Sequence, residues 1–146
     1  MTNPYENALI EIQGDIWKTA DEAGWHEKER ELPEIVALCH SELSEALEAW
    51  RDGMEVTDVL YEYTDHDGSV TGTPGIKYRT HLSAQRDPVS GEVVLGKPEG
   101  VASELADTII RILDYSGHAE IPTIQVMFQK MMFNRTRGWR HGGKKC

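Results

Sequence analysis

Four acidic side chains stand at matching spacings in two stretches of the sequence that are predicted to be helical. Glu42 and Glu45 are three residues apart, and so are Glu104 and Asp107. With about 100° of rotation per residue, each pair falls on or beside the apolar stripe of its helix and points inward. Buried carboxylates must bind cations, meet basic side chains or lie at the mouth of a cleft.

The type of these four side chains favours one kind of ion. Carboxylates without cysteines or paired histidines suit Mg²⁺ or Mn²⁺ better than zinc. Glu45 lies closest to the overlap of the acidic and apolar faces, so it is our candidate to activate a water molecule. Glu48 is predicted at the rim of the site, and His40 is predicted to face outward. The competing interpretation is two solvated helix faces, because exposed acids are common.

A second group of residues could hold phosphate. Lys130, Asn134 and Arg137 are separated by four and three residues, so a helix continuing through them would place them on one face. Favourable interaction of cations with a helix C-terminus is an equally good explanation of their position. Residues 130–146 hold six basic residues and no acid, whereas the whole chain has a net charge of −10. This charge disfavours nucleic-acid polymers and suits a small polyanion bound between metal and cations.

Four helices are predicted to position these residues. The signals are apolar residues at three- and four-residue steps, prolines in first turns and glycines after last turns. The predicted helices run from Pro4 to about Ala23, Pro33 to Arg51, Glu99 to Gly117 and Ile121 to about Arg135. Between Met54 and Pro98, the short β-rich runs VLYEY, IKYRTH and GEVVL alternate with turn-forming clusters, which predicts a hairpin-like insertion of about three strands.

Length and composition limit the class of protein. A chain of 146 residues, 39% of them hydrophobic, favours one globular domain. Two cysteines are too few for a disulfide framework or a cysteine zinc site, which fits a reducing, cytoplasmic setting. We expect no signal peptide or membrane span, and the sequence has no Gly-x₄-Gly-Lys-Ser/Thr loop.

Three segments together resemble the MazG-like, all-α nucleoside triphosphate pyrophosphohydrolases. They are SELSEALEAWR, GKPEGVASELADTIIRILDYSG and KMMFNRTRGWRHGGKK, and the resemblance covers most of the chain outside the insertion. It implies a mainly α, four-helix-type bundle with a small β-rich insertion. Residues 1–146 would be a single MazG-like domain, with the insertion at about 54–98 and a basic C-terminal tail at about 136–146. The 58 residues between Glu45 and Glu104 depart from the short connection usual in the family.

The resemblance also implies an activity and a set of site residues. The family's reaction converts a (d)NTP into a (d)NMP and pyrophosphate, with Mg²⁺ or Mn²⁺ as cofactor. The implied metal ligands are Glu42, Glu45, Glu104 and Asp107, and the implied contacts to phosphate or sugar are Lys130, Asn134 and Arg137. The alternatives are a related hydrolase of another pyrophosphate-containing nucleotide, such as phosphoribosyl-ATP, and a non-enzymatic helical module whose acidic stripe binds a basic partner.

Two further expectations concern the base and the assembly. Trp17 and Trp25 could stack on a nucleobase, although core packing fits the position of Trp17 in an apolar stripe better. Helices that turn acids inward leave little apolar interior, which favours a homodimer or homotetramer, as the resemblance also implies. The insertion is expected to form part of a substrate pocket or an oligomer contact.

Overall fold

The computed structural model describes residues 4–87 and 90–137. Its helices are α1 (Pro4–Glu22), α2 (Leu32–Arg51), α3 (Val101–His118) and α4 (Thr123–Thr136). Its strands are β1 (Leu60–Asp65), β2 (Ile76–Thr80), β3 (Ala84–Arg86), β4 (Val93–Leu95) and β5 (Lys97–Glu99).

The four helices begin and end within two residues of their predicted limits. The end of α1 shows why the sequence signals work. Gly24 adopts a left-handed conformation with φ of 78°, and the Trp25 amide donates back to the Ala20 carbonyl at 3.0 Å. A residue without a Cβ reaches this conformation at little cost, so the chain turns off the helix at this glycine.

The five strands form two antiparallel sheets. In the first, β1 is central and pairs with β2 on one side and β5 on the other, so that Glu62 lies opposite both Arg79 and Lys97. In the second, β3 pairs with β4, with Gln85 opposite Val94. The strands predicted from VLYEY, IKYRTH and GEVVL correspond to β1, β2 and β4, and β3 and β5 are additional.

The prediction of a mainly α, four-helix-type bundle is wrong. Helices make up 54% and strands 15% of the described residues, and the fold is mixed α and β. The insertion builds more sheet than expected because β5 returns to pair with β1, a long-range contact without a local sequence signal. Pro98 even argues against a strand, but β5 is at the edge of its sheet, where a missing amide donor is tolerated.

The chain divides into two compact units. One consists of residues 36–109, and the other combines residues 4–35 with 110–137. In the first unit, Tyr63 is buried, stacks on Tyr78 at 5.7 Å and donates to the Leu82 carbonyl at 2.7 Å. A Cβ at Gly96 would lie 2.7 Å from the side chains of Tyr61 and Tyr63, so this close approach requires glycine. In the second unit, Ile124 is 2% exposed.

The loop between β1 and β2 is organised around Asp65. This buried carboxylate accepts hydrogen bonds from the amides of Gly68, Val70 and Thr71 and from the Thr71 hydroxyl, at distances of 2.7–3.0 Å. These bonds, led by the one from the Thr71 amide, lower the pKa of Asp65 from 3.8 to about 2. The ionised carboxylate therefore stabilises the folded loop.

Candidate metal centre

Three of the four predicted metal ligands come together in the unit of residues 36–109. Glu42 and Glu45 of α2 and Glu104 of α3 each place a carboxylate oxygen within 4.8 Å of the others. Glu42 is 6% and Glu104 8% exposed, whereas Glu45 is accessible to solvent. The group therefore has two buried members and one that faces water.

Helical spacing explains how the two buried acids reach the interior. Glu42 lies one turn from buried Ala46 on α2, and Glu104 lies one turn from buried Val101 on α3. Glu42 and Glu104 therefore point inward, as the sequence predicted, whereas the prediction that Glu45 points inward is wrong, because its side chain is exposed. Gly100, with φ of 117°, turns the chain from β5 into α3, and its carbonyl accepts from the Glu104 amide at 3.1 Å.

The electrostatics of the cluster favour binding of a cation. Burial, a hydrogen bond to Glu42 and the charges of Glu45, Asp107 and Glu42 raise the pKa of Glu104 from 4.5 to about 7. A buried acid among like charges holds its proton because ionisation would add to the repulsion. A divalent cation could replace that proton, and the all-oxygen donor set suits Mg²⁺ or Mn²⁺.

Of the other residues predicted in or near the site, Asp107, Glu48 and His40 lie on the same two helices as the cluster. Asp107 is half-buried on α3 and acts on Glu104 through its charge, but it is not one of the three acids whose oxygens lie within 4.8 Å. His40 is exposed on α2, as predicted, and Glu48, which was predicted at the rim of the site, is also exposed.

One polar neighbour escaped the sequence analysis. The hydroxyl of Ser41 donates to Oε1 of Glu45 at 3.1 Å. The spacing of four residues could have indicated this contact, because side chains one helical turn apart lie side by side. The bond restrains the exposed carboxylate of the cluster.

The predicted phosphate contacts lie in the other unit. Lys130 and Asn134 are exposed one turn apart on α4. Arg137 does not continue their helical face, because it caps α4 in an extended conformation with φ of −79° and ψ of 133°. Its guanidinium carbon lies 5.8 Å from the centre of the Phe133 ring. The basic tail predicted from about residue 136 lies outside the described residues beyond Arg137.

The two tryptophans proposed as base contacts belong to the same unit as α4, and their surroundings differ. Trp17 stacks on the His26 ring at 5.4 Å, and Nε2 of His26 lies 2.9 Å from the Asp114 carboxylate. Trp25 lines a cleft of about 410 Å³. The guanidinium carbons of Arg30 and Arg111 lie 5.4 and 5.6 Å from the centre of its ring. Two guanidinium groups therefore already lie over the Trp25 ring, and a base that stacked on a face that they cover would have to displace them.

Comparison with protein-family models, curated proteins and solved structures finds no match to this chain. In the segments that the structure describes, no helix has the length and apolar character needed to cross a membrane. The geometry of the side chains therefore has to support any proposal about function.

Proposed function

We propose that the protein is a Mg²⁺-dependent nucleotide pyrophosphohydrolase that converts a (d)NTP into a (d)NMP and pyrophosphate. The observation that carries the proposal is the cluster of Glu42, Glu45 and Glu104, which is formed by two helices and has two buried carboxylates and one exposed carboxylate. The resemblance to MazG-like enzymes agrees with this activity.

The chemistry of the substrate explains why such a cluster would be needed. The negative oxygens of a triphosphate repel nucleophiles, and a bound divalent ion neutralises them and lowers the barrier to attack by water. In our proposal, the three clustered acids would hold the ion, and Asp107 would add its negative charge to the cluster. Glu45 is accessible to solvent and is restrained by Ser41, so it is the acid best placed to orient or deprotonate the attacking water.

The unit of residues 4–35 and 110–137 contains the other residues that were predicted to contact a nucleotide. Lys130, Asn134 and Arg137 would hold phosphate or sugar groups, because ammonium and guanidinium groups donate charge-assisted hydrogen bonds to phosphate oxygens. Trp25, which borders a cleft, is a better candidate for contact with the base than Trp17, whose ring is stacked on His26.

The burial of two of the acids argues against the non-enzymatic alternative, in which a helical module binds a basic partner through its acidic stripe. A basic partner protein would need an exposed acidic stripe, but two of the three clustered acids are almost inaccessible. An ion small enough to enter between them fits this arrangement better than a protein surface does.

The identity of the products tests the proposed activity. Purified protein should be incubated with Mg²⁺ and a panel of ribo- and deoxyribonucleoside triphosphates that includes phosphoribosyl-ATP. We expect a nucleoside monophosphate and pyrophosphate, separated and quantified by anion-exchange chromatography. Release of orthophosphate, or no hydrolysis of any member of the panel, would contradict the proposal, and hydrolysis of phosphoribosyl-ATP alone would support the related alternative.

We also propose that the protein is a homodimer or homotetramer. Within residues 36–109, large apolar side chains on α2 and α3 are more than two-fifths exposed: Leu43, Leu47, Trp50, Leu105 and Ile109. Apolar surface of this kind is commonly covered by another subunit. Light scattering at micromolar concentration should give the mass of two or four chains. An active protein with the mass of one chain would be evidence against this assembly.

A further inference from the structure

The sheet formed by β3 and β4 ends in a strand whose side chains are all apolar and exposed. Val93, Val94 and Leu95 of β4 are 60%, 43% and 77% exposed. Within the described residues, β4 pairs with β3 and with no other strand. The opposite edge of β4 is therefore open in this part of the chain.

Two hydrogen bonds at the ends of the β3–β4 ladder fix its pattern. The Asp87 amide donates to the Glu92 carbonyl at 2.8 Å, and the Gly96 amide donates to the Ser83 carbonyl at 3.1 Å. Along an antiparallel ladder, hydrogen-bonded pairs alternate with pairs that have no such bond. The pair midway between these two must therefore also be hydrogen-bonded.

That middle pair is Gln85 and Val94, which lie opposite each other in the register. Because successive main-chain groups of a strand point to opposite sides, the amides and carbonyls of Val93 and Leu95 point away from β3. No described residue accepts a hydrogen bond from these two amides. The open edge of β4 thus presents two donors and two acceptors.

The other free edges of the two sheets are protected against a further strand. Natural edge strands commonly carry charged side chains or proline, which discourage pairing with another chain. Residues of this kind occur in β2, β3 and β5: Lys77, Arg79, Arg86, Lys97, Pro98 and Glu99. β4 has none, so it is the edge best suited to receive another strand.

A second copy of β4 that runs antiparallel to the first fits this edge. Val93 of each copy would lie opposite Leu95 of the other and exchange two hydrogen bonds with it. Val94 would lie opposite Val94 across the two-fold axis. The exposed apolar side chains of both strands would then form cross-strand pairs.

The charges at the two ends of β4 favour this direction. Glu92 is exposed just before the strand, and Lys97, just after Gly96, is 70% exposed beside its contact with Glu99. Antiparallel pairing brings the acidic end of each copy to the basic end of the other, whereas parallel pairing would place Glu92 beside Glu92. Opposite charges at such positions are favourable and like charges are not.

We infer that two copies of this chain associate by antiparallel pairing of β4 with β4, which joins their two-stranded sheets into one of four strands. The inference does not depend on the proposed hydrolysis. It gives the insertion a part in assembly. A strand of three residues buries less than the roughly 800 Å² per partner that is usual in stable complexes, so we expect this association to be reversible on dilution.

Proline at Val93 tests the pairing, and proline at Ala84 is the matched control. Each is the first residue of its strand and is exposed, and each amide points away from the neighbouring strand of the hairpin. Val93→Pro removes one donor to the second copy from each chain and no hydrogen bond within the hairpin. In sedimentation velocity over a dilution series, we expect Val93→Pro to raise the Kd of association about tenfold or more, and Ala84→Pro to change it less than about twofold.

Hydrogen exchange of the unsubstituted protein provides a second measurement that needs no variant. We expect the amides of Val93 and Leu95 to exchange about tenfold more slowly at about 500 μM than at about 10 μM, because association covers them. The Val94 amide, which is bonded to Gln85 within the hairpin, should change less.

Several results would overturn the inference. They are an unsubstituted protein that stays a single chain throughout the series, an unchanged Kd in Val93→Pro, an equal loss in Ala84→Pro, and exchange at Val93 and Leu95 that is independent of concentration. If its melting temperature shows that Val93→Pro is misfolded, hydrogen exchange of the unsubstituted protein decides. If folded Val93→Pro keeps the mass of two or four chains at every dilution, the assembly proposed above stands and pairing through β4 fails.

Discussion

Removal of divalent metal should abolish hydrolysis, and addition of Mg²⁺ should raise the melting temperature of the metal-free protein. The physical reason is the repulsion among Glu42, Glu45 and Glu104, whose oxygens lie within 4.8 Å of one another. An ion that binds the folded chain alone adds its binding free energy to the free energy of unfolding. Turnover in excess EDTA and thermal unfolding with and without Mg²⁺ measure the two effects. Full activity in EDTA would rule out the metal site.

The stabilisation by Mg²⁺ should increase with pH. In the metal-free protein Glu104 has a pKa of about 7, above its ordinary value of 4.5, so the folded state holds a proton that the unfolded state releases at lower pH. The free energy of unfolding of the metal-free protein should therefore fall as pH rises between these values. Because a metal ion must displace this proton, the rise in melting temperature should be larger at about pH 8 than at about pH 6. Equal shifts at both pH values would contradict this coupling.

Substitution of Glu45 by Gln should lower kcat by about a hundredfold or more. The amide keeps the size of the side chain but cannot accept a proton from water and binds a hard cation less well than a carboxylate. Steady-state kinetics with saturating nucleotide and Mg²⁺ provides the measurement.

Glu48→Gln is the matched control for this substitution. Glu48 is also an exposed acid on α2 and lies three residues further along the helix, outside the group of three clustered acids. We expect its kcat to remain within about twofold of the original value, because Glu48, although predicted at the rim of the site, is not one of the three acids that would bind the ion. Similar losses in both variants would show that the acidic face as a whole, and not Glu45, is responsible.

Helices and inward acids could be predicted because both depend on local periodicity. Glu42 lies at helical spacing from buried Ala46 on α2, and Glu104 lies at helical spacing from buried Val101 on α3, although other apolar side chains of both helices are exposed. The predicted limits of the helices are close for the same reason, since proline and glycine mark the ends of several of them.

Features that depend on distant pairing could not be read from the sequence. β3 and β5 have three residues each, and the contact that defines β5 is with β1, more than thirty residues earlier in the chain. Nothing near Lys97 in the sequence indicates that it lies beside Glu62. The extended conformation of Arg137 was missed because its spacing from Asn134 fits a helix, although the helix ends at Thr136.

The hydrogen bonds that Asp65 accepts determine which positions of the β1–β2 loop tolerate substitution. Three of the four donors to Asp65 are main-chain amides, which every amino acid except proline provides. The side chains at Ser69 and Val70 take no part in these bonds, so their identity can change while the loop keeps its shape. Gly68 is more restricted, because it has φ of 77° and a Cβ there would lie 3.1 Å from Pro74. The loop can therefore change in sequence at Ser69 and Val70 and keep its conformation. This requires that Asp65 and Gly68 are kept and that no proline removes one of the donating amides.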